Sequence, residues 1–176
     1  MAPAGRPYQP KRLLRLRSWS GQDKSLSIPT NIRVLRHSHG GRPRRYRGHV
    51  VTLDDVARMA AELPEVTEGE RFGNRTWYVG GKAFAWDRPF SQADIRRFGD
   101  QVPPDGPILA VRVGDLGEKE AVLAANPAAF FTIPHFDGYS AVLIQLPKVS
   151  ARALRDAIID GWLVCAPPAL ARRFER

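Results

Sequence analysis

Two short runs of aromatic and basic residues, at positions 75–79 and 82–86, carry the residue types best suited to a chemical role. Gly80-Gly81 joins them and predicts a β-hairpin, because a two-residue primed turn needs positive φ at both central positions. Side chains alternate across a strand, so every second residue of each run is expected on one face. The residues of that predicted face are Arg75, Trp77, Val79, Lys82, Phe84 and Trp86.

This face has two interpretations. Nucleic-acid bases stack on aromatic rings and phosphates pair with Lys or Arg, so Arg75, Trp77 and Lys82 are candidate nucleic-acid contacts. In a small domain, however, three aromatics on one strand face usually form the core, with the two cations at its rim. The opposite face, which carries smaller side chains and Tyr78, offers a flatter surface against which a helix could lie.

Further arginines follow the hairpin. Arg88, Arg96 and Arg97 lie in a segment at 87–106 that is rich in proline and glycine, with a short helix predicted at 92–98. Loops of this length inside a compact domain are often functional or mobile. These arginines and Arg112 are the next candidates for phosphate contacts. Acidic residues are interleaved with them, so a solvated surface is the alternative interpretation.

A third candidate is the loop at 134–139, which contains His135, Asp137 and Tyr139. His135 and Asp137 could together orient a base, but the sequence places no nucleophile beside them. The alternative is a histidine that hydrogen-bonds the backbone of the turn. No Cys or His spacing indicates a metal site. We therefore expect no catalytic residues, no metal and no cofactor.

The positive charge is concentrated at the amino terminus. Residues 1–49 hold 12 Lys or Arg and one acid, whereas residues 50–176 hold 15 Lys or Arg and 17 acids. Repeated prolines and the lack of hydrophobic period predict that residues 1–49 are a disordered basic tail. This tail has three interpretations: an arm that contacts phosphates, a solvated tail without a role, or upstream sequence translated from a start codon placed too early. Valine codons can serve as bacterial starts, and Val50 and Val51 precede the first predicted helix.

The order of predicted elements indicates an α+β domain at 50–176. Helices are expected after the capping residues Thr52, Asp115 and Ser150, and an acidic turn is expected at 65–70 before the hairpin. Further strands are predicted at 108–113, 130–133 and 139–146. This order predicts an antiparallel sheet with helices packed on one face.

The remaining features concern the cellular compartment. The single cysteine, Cys165, lies on the apolar stripe of the last long helix, so we expect a buried, inert thiol. One cysteine forms no internal disulfide, and no apolar run approaches the roughly 18 residues that cross a bilayer. We therefore expect a cytoplasmic protein without a membrane contact.

Five segments, at 63–66, 72–73, 79–84, 134–139 and 162–167, together resemble the MmcQ/YjbR family in type, order and spacing. The resemblance covers about 52–175 and implies a small bacterial α+β domain, similar in fold to type III secretion chaperones. Members are commonly named DNA-binding proteins, on the basis of a proposed double-wing arrangement. The resemblance thus implies a non-enzymatic protein that binds DNA through the 75–86 hairpin and nearby arginines. The alternative is a protein-binding or self-associating module that uses the aromatic sheet face.

Overall fold

A computed structural model describes residues 50–174. The predicted disordered tail at 1–49 lies outside the described residues. The strands are β1 (Thr67–Arg71), β2 (Asn74–Val79), β3 (Lys82–Asp87), β4 (Ile108–Arg112), β5 (Phe130–Phe131) and β6 (Ala141–Gln145). The helices are α1 (Leu53–Ala61), α2 (Gln92–Phe98), α3 (Leu116–Ala125), α4 (Ala151–Cys165) and α5 (Pro168–Phe174), with a 3-10 turn at Pro134–Phe136.

The six strands form one sheet in the order β1-β2-β3-β4-β6-β5, and every neighbouring pair is antiparallel. Helices α1 and α4 contact each other, and α4 packs on β2, β3 and β4. This arrangement confirms the predicted α+β fold with an antiparallel sheet.

Strand β1 was not expected, and the prediction of an acidic turn in its place is wrong. All five of its residues are exposed, so its sequence lacks the apolar alternation by which a strand is usually recognised. Its pairing with β2 is set by a tight turn at Phe72 and Gly73, whose φ values are +54° and +77°. Positive φ at both central positions is the geometry that joins antiparallel strands.

The predicted helix starts are confirmed. The Thr52 side chain accepts a hydrogen bond from the Asp55 backbone N–H, and the Asp55 carboxylate accepts one from Thr52 N–H. Asp115 and Ser150 cap α3 and α4 through the same kind of hydrogen bond. Each cap satisfies backbone donors that a helix leaves unpaired in its first turn.

The main core lies between the sheet and α4. A Cβ on Gly161 would meet the Val111 side chain at 2.7 Å, so only glycine allows α4 to approach the sheet this closely. Trp162, which is fully buried, donates its indole N–H to the carbonyl oxygen of Pro64 at 3.1 Å. Trp77 is buried in the same core. Helices α1 and α4 therefore lie on the face of Trp77, whereas α2 packs on the opposite face through Phe98.

Within residues 50–174, every helix is too short or too polar to span a lipid bilayer.

Candidate functional site

The β2–β3 hairpin contains an irregularity that redirects one of its aromatic side chains. The pairing begins as predicted, with Tyr78 opposite Ala83, but Trp77 then pairs with Ala85 instead of Phe84. Phe84 is thus the extra residue of a β-bulge, and both Phe84 and Ala85 are buried against the helices. The bulge shifts Trp86 to the other face of the sheet, so the prediction that Trp86 shares a face with Trp77 is wrong.

Trp86 lies in a concavity of about 980 Å³ on the sheet face opposite α4. We call this concavity the groove. Strands β2, β3 and β4, helix α2, the β1–β2 turn and the loop at 134–139 all contribute to it. Its charged and aromatic lining residues are Arg71, Phe72, Trp86, Arg88, Phe90, Asp94, Arg97, Arg112, His135, Phe136 and Tyr139.

Three aromatic rings lie together in the groove. The Trp86 and Phe136 rings are stacked with centroids 6.4 Å apart, and Tyr139 meets both edge-on at 6.3 and 5.7 Å. Phe136 is buried, whereas the Tyr139 side chain is 39% exposed. Rings in these mutual orientations stabilise one another, and an exposed ring among them can also contact a ligand.

Four arginines line the groove. The Arg112 guanidinium lies 4.6 Å from the Tyr139 ring centroid and 5.9 Å from that of Trp86, and it forms no ion pair with any described residue. Arg88 lies 5.6 Å from the Phe136 ring, and Arg71 lies 5.1 Å from the ring of Phe72 at the rim. Guanidinium groups held on aromatic faces retain N–H donors for an anion.

One carboxylate, that of Asp94, belongs to the groove lining. It accepts hydrogen bonds from Ser91 Oγ at 2.7 Å and from Arg88 at 2.8 Å, and Arg97 lies 3.6 Å away. Burial by itself would raise the pKa of Asp94, but the bonds from Ser91 and Arg88 outweigh it and lower the pKa to about 2. Asp94 therefore stays ionised and orients arginine side chains at the groove.

The loop at 134–139 is anchored from behind by Lys119 of α3. This lysine is 5% exposed, and its Nζ donates to the carbonyl oxygens of Phe136 at 2.6 Å and of Tyr139 at 3.2 Å. Burial lowers the pKa of Lys119, and the charge of Asp137 partly opposes that shift. Lys119 thus fixes the backbone that carries two of the aromatic rings.

The predicted site residues divide between the two sides of the sheet. Four of them, drawn from both predicted groups, line the groove together: Arg88, Arg97, His135 and Tyr139. Arg96 and Asp137 are exposed but are not part of the lining.

The remaining predicted residues belong to the hairpin, and they do not line the groove. Arg75 pairs with Glu68 at 2.7 Å and with Asp54 of α1 at 2.8 Å. Trp77 is 1% exposed, which confirms the core interpretation and leaves no ring face for a base. Lys82 is exposed at the end of the hairpin.

Sequence reasoning missed Arg71 and Phe72 as site residues and placed Trp86 on the wrong face. A signal for the first two was present, because Phe72-Gly73 separates two short polar runs as a hairpin turn does. The bulge that redirects Trp86 left no comparable signal. Phe136 was also missed as a wall residue, although its neighbours His135 and Tyr139 were selected.

The groove is chemically suited to holding an anionic or aromatic ligand. Among residues 50–174, no cluster of three His, Cys, Asp or Glu side chains could hold a metal ion. Cys165 is buried within the core on the α4 side of the sheet, and burial raises the pKa of its thiol. Apart from the Asp94 carboxylate, the charged and aromatic groups that line the groove are hydrogen-bond donors and rings.

The fold and the groove define a small α+β domain with α1 and α4 on one sheet face and, on the other, an arginine-rich aromatic concavity that α2 helps to line. A family model described as YjbR matches residues 61–164, which is more than half of the chain. The chain belongs to the YjbR family, and the resemblance noted from the sequence is confirmed.

Relatives and a solved structure agree with this assignment. The chain is 42% identical over 128 residues to uncharacterised proteins of Mycobacterium bovis and Mycobacterium tuberculosis, a match that covers 71% of this chain and 96% of theirs. A crystal structure of a Deinococcus radiodurans protein with a DUF419 domain superposes with a TM-score of 0.50 at 19% identity. That superposition covers 72% of this chain and 89% of the other, and it supports the fold alone.

Proposed function

We propose that this protein is a non-enzymatic nucleic-acid-binding protein, with DNA as its ligand, and that the groove is its binding surface. The observation that carries the proposal is the local charge: four arginines and one carboxylate line the groove, although residues 50–176 as a whole are slightly acidic. Neutralisation of phosphates by Arg and Lys supplies most of the affinity in protein–DNA complexes.

The aromatic rings support the same ligand. Tyr139 is partly exposed among the arginines, and Phe72 at the rim is 88% exposed. Rings beside guanidinium groups provide both stacking and phosphate pairing, which together are typical of nucleic-acid surfaces.

A non-enzymatic role fits the groups in the groove. With a pKa of about 2, Asp94 is a weak base near neutral pH. The Ser91 hydroxyl is bonded to Asp94 as part of the helix cap, so it is not paired with a general base. His135 meets Phe136 edge-on at a centroid distance of 5.8 Å, and no nucleophile of the described residues is bonded to it.

The test is a salt titration of DNA affinity with the full-length protein and two variants. Arg112→Ala is expected to weaken binding and to reduce the slope of log K against log salt by about one. Lys82→Ala, on the other side of the sheet, tests the hairpin location suggested by the sequence and is expected to change neither quantity. If Lys82→Ala reduced the slope and Arg112→Ala did not, the groove would be excluded as the binding surface.

A protein-binding role is the second candidate, and the exposure of β1 favours it. β1 is an edge strand, and Arg71 at its end lines the groove, so a partner strand could pair there. Charged residues on β1, among them Glu68 and Glu70, are of the type that discourages edge pairing. Light scattering of the purified protein over a concentration series would detect a second copy bound in this way.

A further inference from the structure

Phe72 occupies a position where an aromatic side chain does not help the fold. Its φ is +54°, a left-handed conformation that glycine or asparagine adopts more easily than phenylalanine. The ring is 88% exposed and has Arg71 over one side at 5.1 Å. Phenylalanine at this position has an unfavourable backbone conformation and buries little of its ring. Contact with a ligand explains its presence better than a contribution to stability does.

Tyr139 gives the groove a second accessible ring. It is 39% exposed, and Arg112 lies over its face at 4.6 Å. Phe72 and Tyr139 thus share one arrangement, an exposed ring with a guanidinium group beside it, and both line the groove. Successive bases of a single strand stack on such rings, whereas the bases of a duplex are already stacked on one another.

The position of the arginines also distinguishes the two forms of DNA. The Arg88 side chain is only 17% exposed, and Arg112 lies on a central strand of the sheet beneath the rim. The phosphates of a duplex lie on a convex, stiff surface that meets flat or protruding side chains best. A single strand is flexible enough to enter a concavity and to bring its phosphates to recessed arginines.

We infer that the groove selects single-stranded over double-stranded DNA, with bases stacked on Phe72 and Tyr139 and phosphates paired with Arg71, Arg88 and Arg112. This inference rests on the proposed function, since it specifies which form of nucleic acid the same site takes.

The experiment compares fluorescence anisotropy of the full-length protein with labelled oligothymidine of about 15 nucleotides and with a duplex of the same length. Both are titrated from about 50 to about 200 mM salt, because any contact between the basic residues at 1–49 and phosphates would weaken as the salt concentration rises. Wild-type protein is expected to bind the single strand at least about tenfold more tightly at the higher salt. Phe72→Asn should weaken single-strand binding about tenfold and leave duplex binding unchanged, which is the loss of one stacked base.

Glu65→Asn is the matched control. Glu65 is also an exposed residue with positive φ, at +55°, but it does not line the groove. Asparagine at this position should leave the ratio of single-strand to duplex affinity unchanged, because the lost carboxylate alters the net charge that both forms of DNA meet. A general effect of the new asparagine on the fold is thus separated from loss of the ring. Tyr139→Leu is the second test, and it should also reduce single-strand affinity selectively.

The outcomes separate the inference from the proposed function. The wild-type protein could bind the duplex as tightly as the single strand or more tightly, with that binding unchanged in Phe72→Asn and weakened in Arg112→Ala. This result would overturn single-strand selection but retain the groove as a DNA-binding surface. Binding of neither DNA, or binding that Arg112→Ala does not weaken, would overturn both. Displacement of oligothymidine by a polyglutamate peptide at equal charge would show that the groove recognises charge alone, and would also overturn the inference.

Discussion

The two faces of the β2–β3 hairpin carry similar residue types and use them in different ways. On the α4 side, Trp77 is buried and its indole N–H donates to Glu68 at 3.2 Å. On the other side, Trp86 remains partly exposed and lies beneath Arg112. A single β-bulge at Phe84 separates these two tryptophans. The comparison teaches that aromatic and basic composition does not distinguish the core face of the hairpin from the groove face; the burial of each face does.

The largest effect is expected from truncating the buried tryptophan. Trp77→Ala should lower the free energy of unfolding by about 3–5 kcal/mol, because it leaves a cavity between the sheet and the helices. Trp86→Ala, the matched change on the groove face, should cost about 1–2 kcal/mol, since its ring is only partly buried. Urea unfolding of both variants measures the difference. Equal losses would break the distinction between a core face and a binding face.

A second prediction concerns acid stability on the groove side. The pKa of Asp94 is about 2 in the folded protein against an ordinary value of 3.8, so the folded state favours the carboxylate. This contributes about 2 kcal/mol of stability that is complete above about pH 5 and is lost as the pH falls towards 2. Wild-type protein should therefore exceed Asp94→Asn in stability at neutral pH and approach it in acid.

Urea midpoints of both proteins along a pH series test this prediction. The difference between the urea midpoints of the two proteins at each pH reports on Asp94, because the other carboxylates affect wild type and variant alike. A gap of constant size from neutral pH to acid would show that the hydrogen bonds from Ser91 and Arg88 do not favour the ionised form. The groove arginines would then lack the fixed charge that orients them.

The third prediction addresses what holds the groove wall. Lys119→Met removes the two hydrogen bonds that Nζ donates to the carbonyl oxygens of Phe136 and Tyr139, and each oxygen keeps only its backbone hydrogen bond. The apolar methionine offsets part of that cost, so the net loss should be about 1–2 kcal/mol. Hydrogen exchange should accelerate at Tyr139 N–H, which bonds Phe136 O at 3.0 Å, and remain slow in α4.

Lys148→Met provides the control for this change, because Lys148 is exposed. It should alter neither the stability nor the exchange of the 134–139 loop. Unchanged protection of Tyr139 in Lys119→Met would mean that the packing of Phe136 alone holds the loop. In that case the groove wall, like the core face, would be held by the packing of apolar side chains and not by hydrogen bonds.

The sequence predicted features that depend on local chemistry and missed those that depend on pairing. The caps at Thr52, Asp115 and Ser150 involve residues three positions apart, and each was recognised. The Gly80-Gly81 turn was recognised for the same reason. Strand β1 was missed because its residues are all exposed, so its pairing with β2 produces no hydrophobic pattern.

The candidate site was predicted in fragments. Arg88, Arg97, His135 and Tyr139 were selected as two unrelated groups, and only the sheet brings them together. The bulge explains the main error, since one unpaired residue reverses the face of every later side chain in the strand. Phe84 and Ala85 are consecutive and both buried in the core on the α4 side, and an alternating sequence contains no indication that two consecutive residues share a face.

The smallest expected effect on stability is that of replacing Phe72, the exposed aromatic residue at the groove rim. Phe72→Asn relieves a left-handed conformation that costs a residue with a β-carbon roughly 1–2 kcal/mol, and it removes an exposed contact with Arg71 worth about 0.5 kcal/mol. The free energy of unfolding should therefore rise by up to about 1 kcal/mol, measured by urea unfolding, and Glu65→Asn should raise it similarly. On the buried face no aromatic truncation can be stabilising, because each one opens a cavity. A loss of more than about 1 kcal/mol in Phe72→Asn would show that this ring packs as Trp77 does, and the rim would then belong to the core.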